Sequence, residues 1–270
     1  MLNLDNEYIT VKELCSCLNI SDSGIYYIEK LPAKDLELKQ KIEDVMEKHK
    51  TYGHRRIALE LKINKKRILR VMHKCGFKPK ITRFKKPVNS NKKGVSKFKN
   101  LIKDICPIRP YATLATDFTY LRYKNIFLYL ATVIDIYTKE ILGYVVSTTH
   151  TKSLVIEAVK HALTNCLVLP LYIHSDEGSE YMSDEYISFV ESNNIQLSTS
   201  DIGSPWQNGF KEAFYSQFKL DLQADNLNRF DNVAEVVEHI YHTIYYHNND
   251  RIHTSIKMKP VEFKNQELAK

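Results

Sequence analysis

Three acids in this chain stand where metal-assisted phosphodiester chemistry would need them. Asp117 lies in Ala115-Thr116-Asp117-Phe118-Thr119-Tyr120, a run that reads as a strand. Its same-face neighbours, Ala115 and Thr119, are small and leave room for ions. Asp176 directly follows the apolar run Leu171-Tyr172-Ile173, in His174-Ser175-Asp176-Glu177-Gly178. Glu212 sits in a helical stretch where Trp206, Phe210, Phe214, Phe218 and Leu222 recur every four residues. At about 100° per residue, Glu212 lies about 200° from Phe214 and faces away from that stripe. Cutting or joining phosphodiesters without a covalent intermediate calls for two divalent cations about 4 Å apart. Such hard cations take oxygen ligands, so acids must be gathered from separate elements.

Other residues compete for attention. Asp135 also sits at a strand end and could rival Asp117 for the first metal position. His174 could support the Asp176 region or be a hydrogen-bonded core histidine. Lys219, two turns beyond Glu212 on the same side, could contact a DNA phosphate or pair with a neighbouring acid. Asn208 could contact DNA or cap the helix. His239, His242 and His247 hint at a metal cluster, but no Cys pair stands near them, so zinc is disfavoured. One of the 17 tyrosines could be a recombinase nucleophile, but no H-x-x-R arrangement accompanies any of them.

The elements that must position these acids can be read from periodicity. Leu114–Tyr123, Phe127–Ile136 and Glu140–Ser147 read as three consecutive antiparallel strands. Then come a helix Ser153–Asn165, a strand Leu169–His174, a helix Ser183–Ser192 and a strand Ile195–Ser198. A long helix Pro205–Leu222 and another from about Asp231 to His247 complete an α/β region with a mixed sheet. Pro205 after Ser204 suits a first helical position.

The front of the chain differs in charge and texture. Residues 1–110 hold 26 Lys/Arg and 12 Asp/Glu, whereas the remainder holds 13 and 20. Between Lys50 and Arg109 only Glu60 and Asp104 interrupt the basic residues, which points to a polyanionic partner. Thr10 with Glu13 forms a capping-box pattern before Val11, Leu14, Cys15 and Leu18, and Ser21 could cap a second short helix. Leu36 to His49 is amphipathic, with Leu38, Ile42, Val45 and Met46 on one side. Asn64 could cap a last helix that Gly76 ends, with Ile68, Leu69, Val71 and Met72 on its apolar face. Its other face carries Lys65, Lys66, Arg67, Arg70 and Lys74, which suits a helix entering the major groove or riding on phosphates. Residues 79–110 read as an extended basic linker.

Composition sets further bounds. The chain has 270 residues, 43% hydrophobic and 26% charged, which is ordinary globular usage. Its five scattered cysteines contain no C-x-x-C pair and argue against a disulfide framework. The amino terminus lacks a basic signal region and no apolar stretch is long enough for a bilayer, so a cytoplasmic location is expected.

These motifs together resemble the second-frame (OrfB) transposases of the IS3 family of insertion sequences, with a DDE integrase core. Thr116-Asp117-Phe118-Thr119-Tyr120 resembles the family's first motif, and Val133-Ile134-Asp135 with Gly143 its second and third strands. His174-Ser175-Asp176-x-Gly178-Ser179-x-Tyr181 resembles the second motif. Ser200-x-x-Gly203-x-Pro205-x-Gln207-Asn208, with Glu212 and Lys219, resembles the third. Thirty-five residues separate Asp176 from Glu212, the D,D-35-E spacing. Tyr246-His247-Asn248-x-x-Arg251-x-His253 with Pro260 resembles the C-terminal signature, and Tyr52-Gly53-His54-Arg55-Arg56-Ile57 the second helix-turn-helix region. The chain departs from the pattern at Leu114, where the family usually has Trp, at Gln207, where Asp is frequent, and at Glu177, which adds a negative charge beside the second Asp.

The resemblance implies an RNase H-like integrase core, a mixed five-stranded sheet with helices, behind a small all-α helix-turn-helix region. The expected division is a helical hairpin at 1–33, a helix-turn-helix-like region at 34–78, the basic linker at 79–110 and the catalytic core at 111–270. It implies a transposase that nicks element ends and joins the freed 3′-hydroxyl to another strand. Asp117, Asp176 and Glu212 would hold two Mg2+ or Mn2+ ions per site, with Asp135 in a structural role. Lys219, Asn208, Arg55, Arg56, Lys65, Lys66, Arg67 and Arg70 are the candidate DNA-binding residues. The expected partners are double-stranded DNA (element ends and target), an upstream first-frame product as fusion or partner, and further copies of the chain on DNA. A DNA-binding protein without catalysis, and a nuclease of the same fold that does not join strands, are the alternatives.

Overall fold

A computed structural model of the chain describes residues 10–21, 33–80, 97–103, 107–200 and 209–270. The helix expected after Ser21 lies outside these residues, as does Asn208.

The front of the chain is helical. α1 (Val11–Leu18) starts with the expected capping box, Thr10 Oγ1 accepting from the Glu13 amide while the Glu13 carboxylate accepts from the Thr10 amide. Its apolar stripe is not core, however: only Cys15 is buried, while Val11, Leu14 and Leu18 are 41%, 44% and 59% exposed. α2 (Ala33–Lys48), α3 (His54–Glu60) and α4 (Lys65–Lys74) form a small unit. Leu38, Ile42, Tyr52, Ile57, Ile68, Val71 and Met72 fill its interior. The Asn64 side chain caps α4 by accepting from the Lys66 amide, and Gly76, at φ +71°, ends the turn that follows. That left-handed conformation is nearly free for glycine.

The second part is built on one sheet. β1 (Thr113–Tyr123), β2 (Ile126–Asp135) and β3 (Ile141–Ser147) form the expected antiparallel meander. α5 (Lys152–Thr164) crosses to β4 (Tyr172–Ser175), and α6 (Asp184–Ser192) crosses to β5 (Gln196–Thr199). Both late strands are parallel to β1, and the sheet order is β3-β2-β1-β4-β5. α7 (Gly209–Asp221), a 3-10 turn (Ala224–Arg229), α8 (Val233–Asn249) and α9 (Pro260–Leu268) follow.

Helices cover both faces, which is why Thr113–Thr116 of β1 and Leu130–Asp135 of β2 are buried without alternation. On one face α5 and α6 pack on Leu114, Ala131, Val133, Leu142 and Ile173. There α5 presses on Gly143, where a Cβ would lie 2.2 Å from the Ala158 carbonyl oxygen, so only glycine fits. On the other face Phe218 of α7, Leu222 just after it, and Val236, Ile240 and Ile244 of α8 pack on Leu121, Leu128, Leu130 and Ile134. Residues 97–101 run beside β5 rather than standing free. Thr199 donates from its hydroxyl to the Phe98 carbonyl, and Leu101 N–H donates to Ser198 Oγ at 2.9 Å.

The helical unit and the core meet through buried polar groups. Asp221, at the end of α7, accepts from Thr51 Oγ1 at 2.6 Å and from Arg251 Nε at 2.7 Å. Ile252 N–H donates to Tyr52 Oη at 2.6 Å, and His49 Nδ1 lies 2.7 Å from Tyr246 Oη. Ile252 itself completes the apolar interior of the helical unit.

Candidate active site

β1 and β4 are neighbouring parallel strands with Ala115 opposite His174. Two residues beyond that pair, Asp117 continues β1 and Asp176 directly follows β4. Both carboxylates are half-buried. Asp117 Oδ1 accepts from the Phe118 amide at 2.8 Å, and Asp176 Oδ1 from the Gly178 amide at 3.1 Å. Glu212 is exposed in the first turn of α7.

Three buried groups fix α7 against the strands. Thr132 is the β2 residue opposite Asp117. Lys211 Nζ donates to the Thr132 carbonyl at 3.0 Å and lies 2.9 Å from its hydroxyl. Tyr215 Oη donates to the Asp117 carbonyl at 2.6 Å and lies 2.8 Å from Thr132 Oγ1. Lys211 is wholly buried immediately before Glu212, so its hydrogen bonds set where that carboxylate emerges.

The electrostatics are those of crowded acids. Burial pushes Asp117 above the usual carboxylate range; the Lys211 charge pulls it down, while Asp176 and Glu212 push it further up. Burial likewise raises Asp176, the Gly178 amide opposes this, and Glu180 and Glu177 add to it. Burial lowers Lys211, and Asp117 holds its proton on. Asp176 and Glu212, from two other elements, thus both act on Asp117. A bound cation would relieve their repulsion, and their all-oxygen donor set suits a hard divalent ion. Among the described residues, no three such side chains close around a single point.

The competing residues fall into structural roles. Asp135 is fully buried and accepts from the Tyr111 and Tyr137 amides and the Thr138 hydroxyl. His174 Nδ1 lies 2.9 Å from Ser198 Oγ within the core. His239, His242 and His247 are not gathered: they meet the Leu222 carbonyl, Glu238 and the Lys139 carbonyl respectively. Glu177 takes up the Lys97 amide at 2.9 Å and so fastens the segment that leads into the core.

The candidate DNA-binding residues separate. Lys219 stands near the site, with its ammonium 5.1 Å from the Tyr120 ring centre. Arg55, Lys65 and Lys66 are exposed. Arg67 and Arg70 are ion-paired to the buried Asp35, so their charge is partly spent inside the protein. Arg56 does not face outward with Arg55. It turns into the junction with the core, its guanidinium 5.7 Å from the Tyr52 ring centre, and burial lowers it to about 10.

Sequence reasoning did not single out Lys211 and Tyr215. The signal is present: Lys211, Tyr215 and Phe218, with Leu222 just beyond the helix, follow an i, i+4, i+7, i+11 spacing and form its most buried line. The aromatic stripe drew attention instead to Phe210 and Phe214, which are only half-buried.

Known proteins resemble this chain in sequence and fold. A family model described as "Integrase core domain" matches residues 107–205, and a second of the same description matches 193–260. The transposase for insertion sequence element IS904 of Lactococcus lactis is 33% identical over 84% of this chain and 92% of its own. The chain belongs to the IS3 family of insertion-sequence transposases. The putative transposase InsK for IS150 of Escherichia coli is 27% identical over 98% of this chain and 97% of its own. A simian T-cell lymphotropic virus intasome chain, solved in complex with the PP2A regulatory subunit B56 gamma, matches the fold. Its TM-score is 0.53 at 18% identity, over 84% of this chain and 74% of that one. This IS3-family transposase therefore has an RNase H-like integrase core and is a polynucleotidyl transferase of the DDE type, a class dependent on divalent metal. Among the described residues no helix is long and apolar enough to cross a membrane.

Proposed function

We propose that Asp117, Asp176 and Glu212 are the acidic triad with which this IS3-family transposase cuts and joins element ends. The reading is carried by the combined action on Asp117, in β1, of Asp176 just after β4 and Glu212 in the first turn of α7. Asp117 and Asp176 would hold one Mg2+ or Mn2+, and Asp117 and Glu212 a second. Such ions activate the attacking water or 3′-hydroxyl and stabilise the leaving oxygen. The protein's own part is positional. Thr132, Lys211 and Tyr215 lock α7 to β1 and β2, so Glu212 is offered from a rigid element.

DNA would be held by charge. Exposed Arg55, Lys65 and Lys66 suit phosphate contacts, as does Lys219 beside the site, while Arg67 and Arg70 stiffen α4 through Asp35. The partners we infer are element ends and target DNA, an upstream first-frame product and further copies of the chain.

The test is strand transfer of a labelled, pre-cut DNA end by the chain alone and by its fusion to the upstream product, with Mg2+ or Mn2+. Joined products that vanish in Asp176→Asn are expected. Nicks without joining would favour a nuclease. Joined products that survive in Asp176→Asn, or none from either protein, would overturn the reading.

A further inference from the structure

The C-terminal signature does more than hold the two parts of the molecule together. Between α3, α7 and the turn after α8 lies a cavity of about 390 Å3, within the size range of small-molecule sites. Phe210 and Phe214 line one side, and Arg56, Lys139 and Arg251 bring positive charge to it. It opens on the far side of α7 from Glu212, since Phe210 and Phe214 lie half a turn round the helix from that residue.

Two buried guanidinium nitrogens of this wall lack a hydrogen-bond partner among the described residues. Arg251 is 2% exposed, and its Nε is occupied by Asp221, yet its Nη2 is buried with no hydrogen-bond partner among the described residues. Arg56 Nε is buried in the same condition. An unpaired buried guanidinium donor is costly, and its planar fork matches phosphate oxygens. The surrounding field agrees: burial, and after it the Arg251 charge, holds both His247 and His253 far below the usual histidine value. The aromatic side is equally specific. The Lys139 ammonium lies 4.5 Å from the Phe210 ring centre, and Phe214 meets His247 edge-on at 5.4 Å. Phenylalanine rings beside a cationic groove are what a flat base and its phosphate need.

We propose that this cavity binds a nucleotide, with the phosphate on Arg56 and Arg251 and the base against Phe210 and Phe214. The occupant rests on the reading that this chain acts on DNA: an unstacked nucleotide of a bound strand, or a free mononucleotide of the same chemistry. Either would bear on the helix that presents Glu212.

Calorimetry on the full chain tests this with dAMP, deoxyadenosine and inorganic phosphate. Ser255→Glu places a negative charge at the exposed rim of the cavity, and Arg56→Gln removes a cation from its wall. Saturable dAMP binding is expected, at least tenfold tighter than either fragment and at least tenfold weaker in both variants. Ser255→Glu should keep the parent melting temperature, so that weakening cannot be blamed on misfolding. A DNA duplex with an unpaired 3′ overhang that displaces dAMP, where a blunt duplex does not, identifies a strand nucleotide as the occupant; failure to displace identifies the free nucleotide. Binding of dAMP no tighter than phosphate, or equal in parent and both variants, overturns the proposal. Asp176→Asn should bind dAMP like the parent, so loss of strand transfer and loss of this site are read separately.

Discussion

Acid should loosen this protein at the junction between its two parts. His49 stacks on Tyr52 at 4.2 Å between ring centres and lies 2.7 Å from Tyr246 Oη; His247 lies 3.0 Å from the Lys139 carbonyl. Both are buried, at 1% and 7% exposure. Burial, and then the Lys48 charge, lowers His49 from 6.5 to about 4, with Lys259 and Arg251 lowering it further and Asp250 opposing. Burial, and then the Arg251 charge, lowers His247 from 6.5 to about 3, with His253 and Arg56 adding to this and the Lys139 carbonyl opposing. The unfolded chain therefore binds more protons than the folded one between about pH 3 and 6.5. Stability is fully present above 6.5 and is lost as pH falls through that window. At pH 5 each histidine costs about 2 kcal/mol, and the figure changes little whether the folded value is 3 or 4, because both lie below 5. Two sites titrating independently remove about 4 kcal/mol from a total of roughly 5–15 kcal/mol. Asp117 and Asp176, raised by burial, act in the opposite sense, so the quantity to read is a difference between proteins. Urea unfolding at pH 7.5 and pH 5.0, at fixed ionic strength, compares the parent with His247→Gln, whose side-chain amide can still donate to Lys139. The variant should lose about 2 kcal/mol less on acidification than the parent. Equal losses would refute the reasoning.

Other perturbations address the remaining links. Asp221→Asn leaves the buried Arg251 without its carboxylate and should cost about 3–5 kcal/mol in urea unfolding. A loss under about 1 kcal/mol would mean the pair is solvated. Gly143→Ala drives a methyl into the α5 backbone and should cost at least about 3 kcal/mol or leave the protein insoluble. A parent-like melting temperature would show that α5 can shift aside. Lys65→Ala with Lys66→Ala should flatten the dependence of log affinity for DNA on log salt by about 2 units. An unchanged slope would remove the start of α4 from the DNA surface.

Much of this molecule is legible in its sequence where chemistry is local. The meander of β1 to β3 follows from β-branched runs with short connections, and Asp117 and Asp176 stand out as candidates because each belongs to a strand or directly ends one. The α4 cap was visible in Asn64 and the stop in Gly76. What escaped is what distance decides. Arg55 and Arg56 read alike because they are adjacent and of one type, yet Arg55 faces outward and Arg56 enters a junction formed with residues near 250. Lys211 reads as solvent-facing because it is a charged residue in a helix; Thr132, 79 positions earlier, and the Asp117 charge make its burial tolerable. α9 is not legible although Pro260 marks its start, because its sequence is mostly polar and its neighbours are α8 and the Tyr137 region.

The contact of Ile252 with the front helices has a consequence for synthesis. Tyr52 leaves the ribosome 200 residues before the amide that it bonds, and the apolar interior around it lacks Ile252 for the same interval. At roughly 5–20 residues per second that interval is roughly 10–40 s. Until then α2 to α4 form an incomplete body with an unfilled position and an unpaired hydroxyl. A chain cut short before Ile252 therefore never acquires the finished front unit, however intact its own helices are. Translation thus delays the finished front unit until the enzyme behind it has been made.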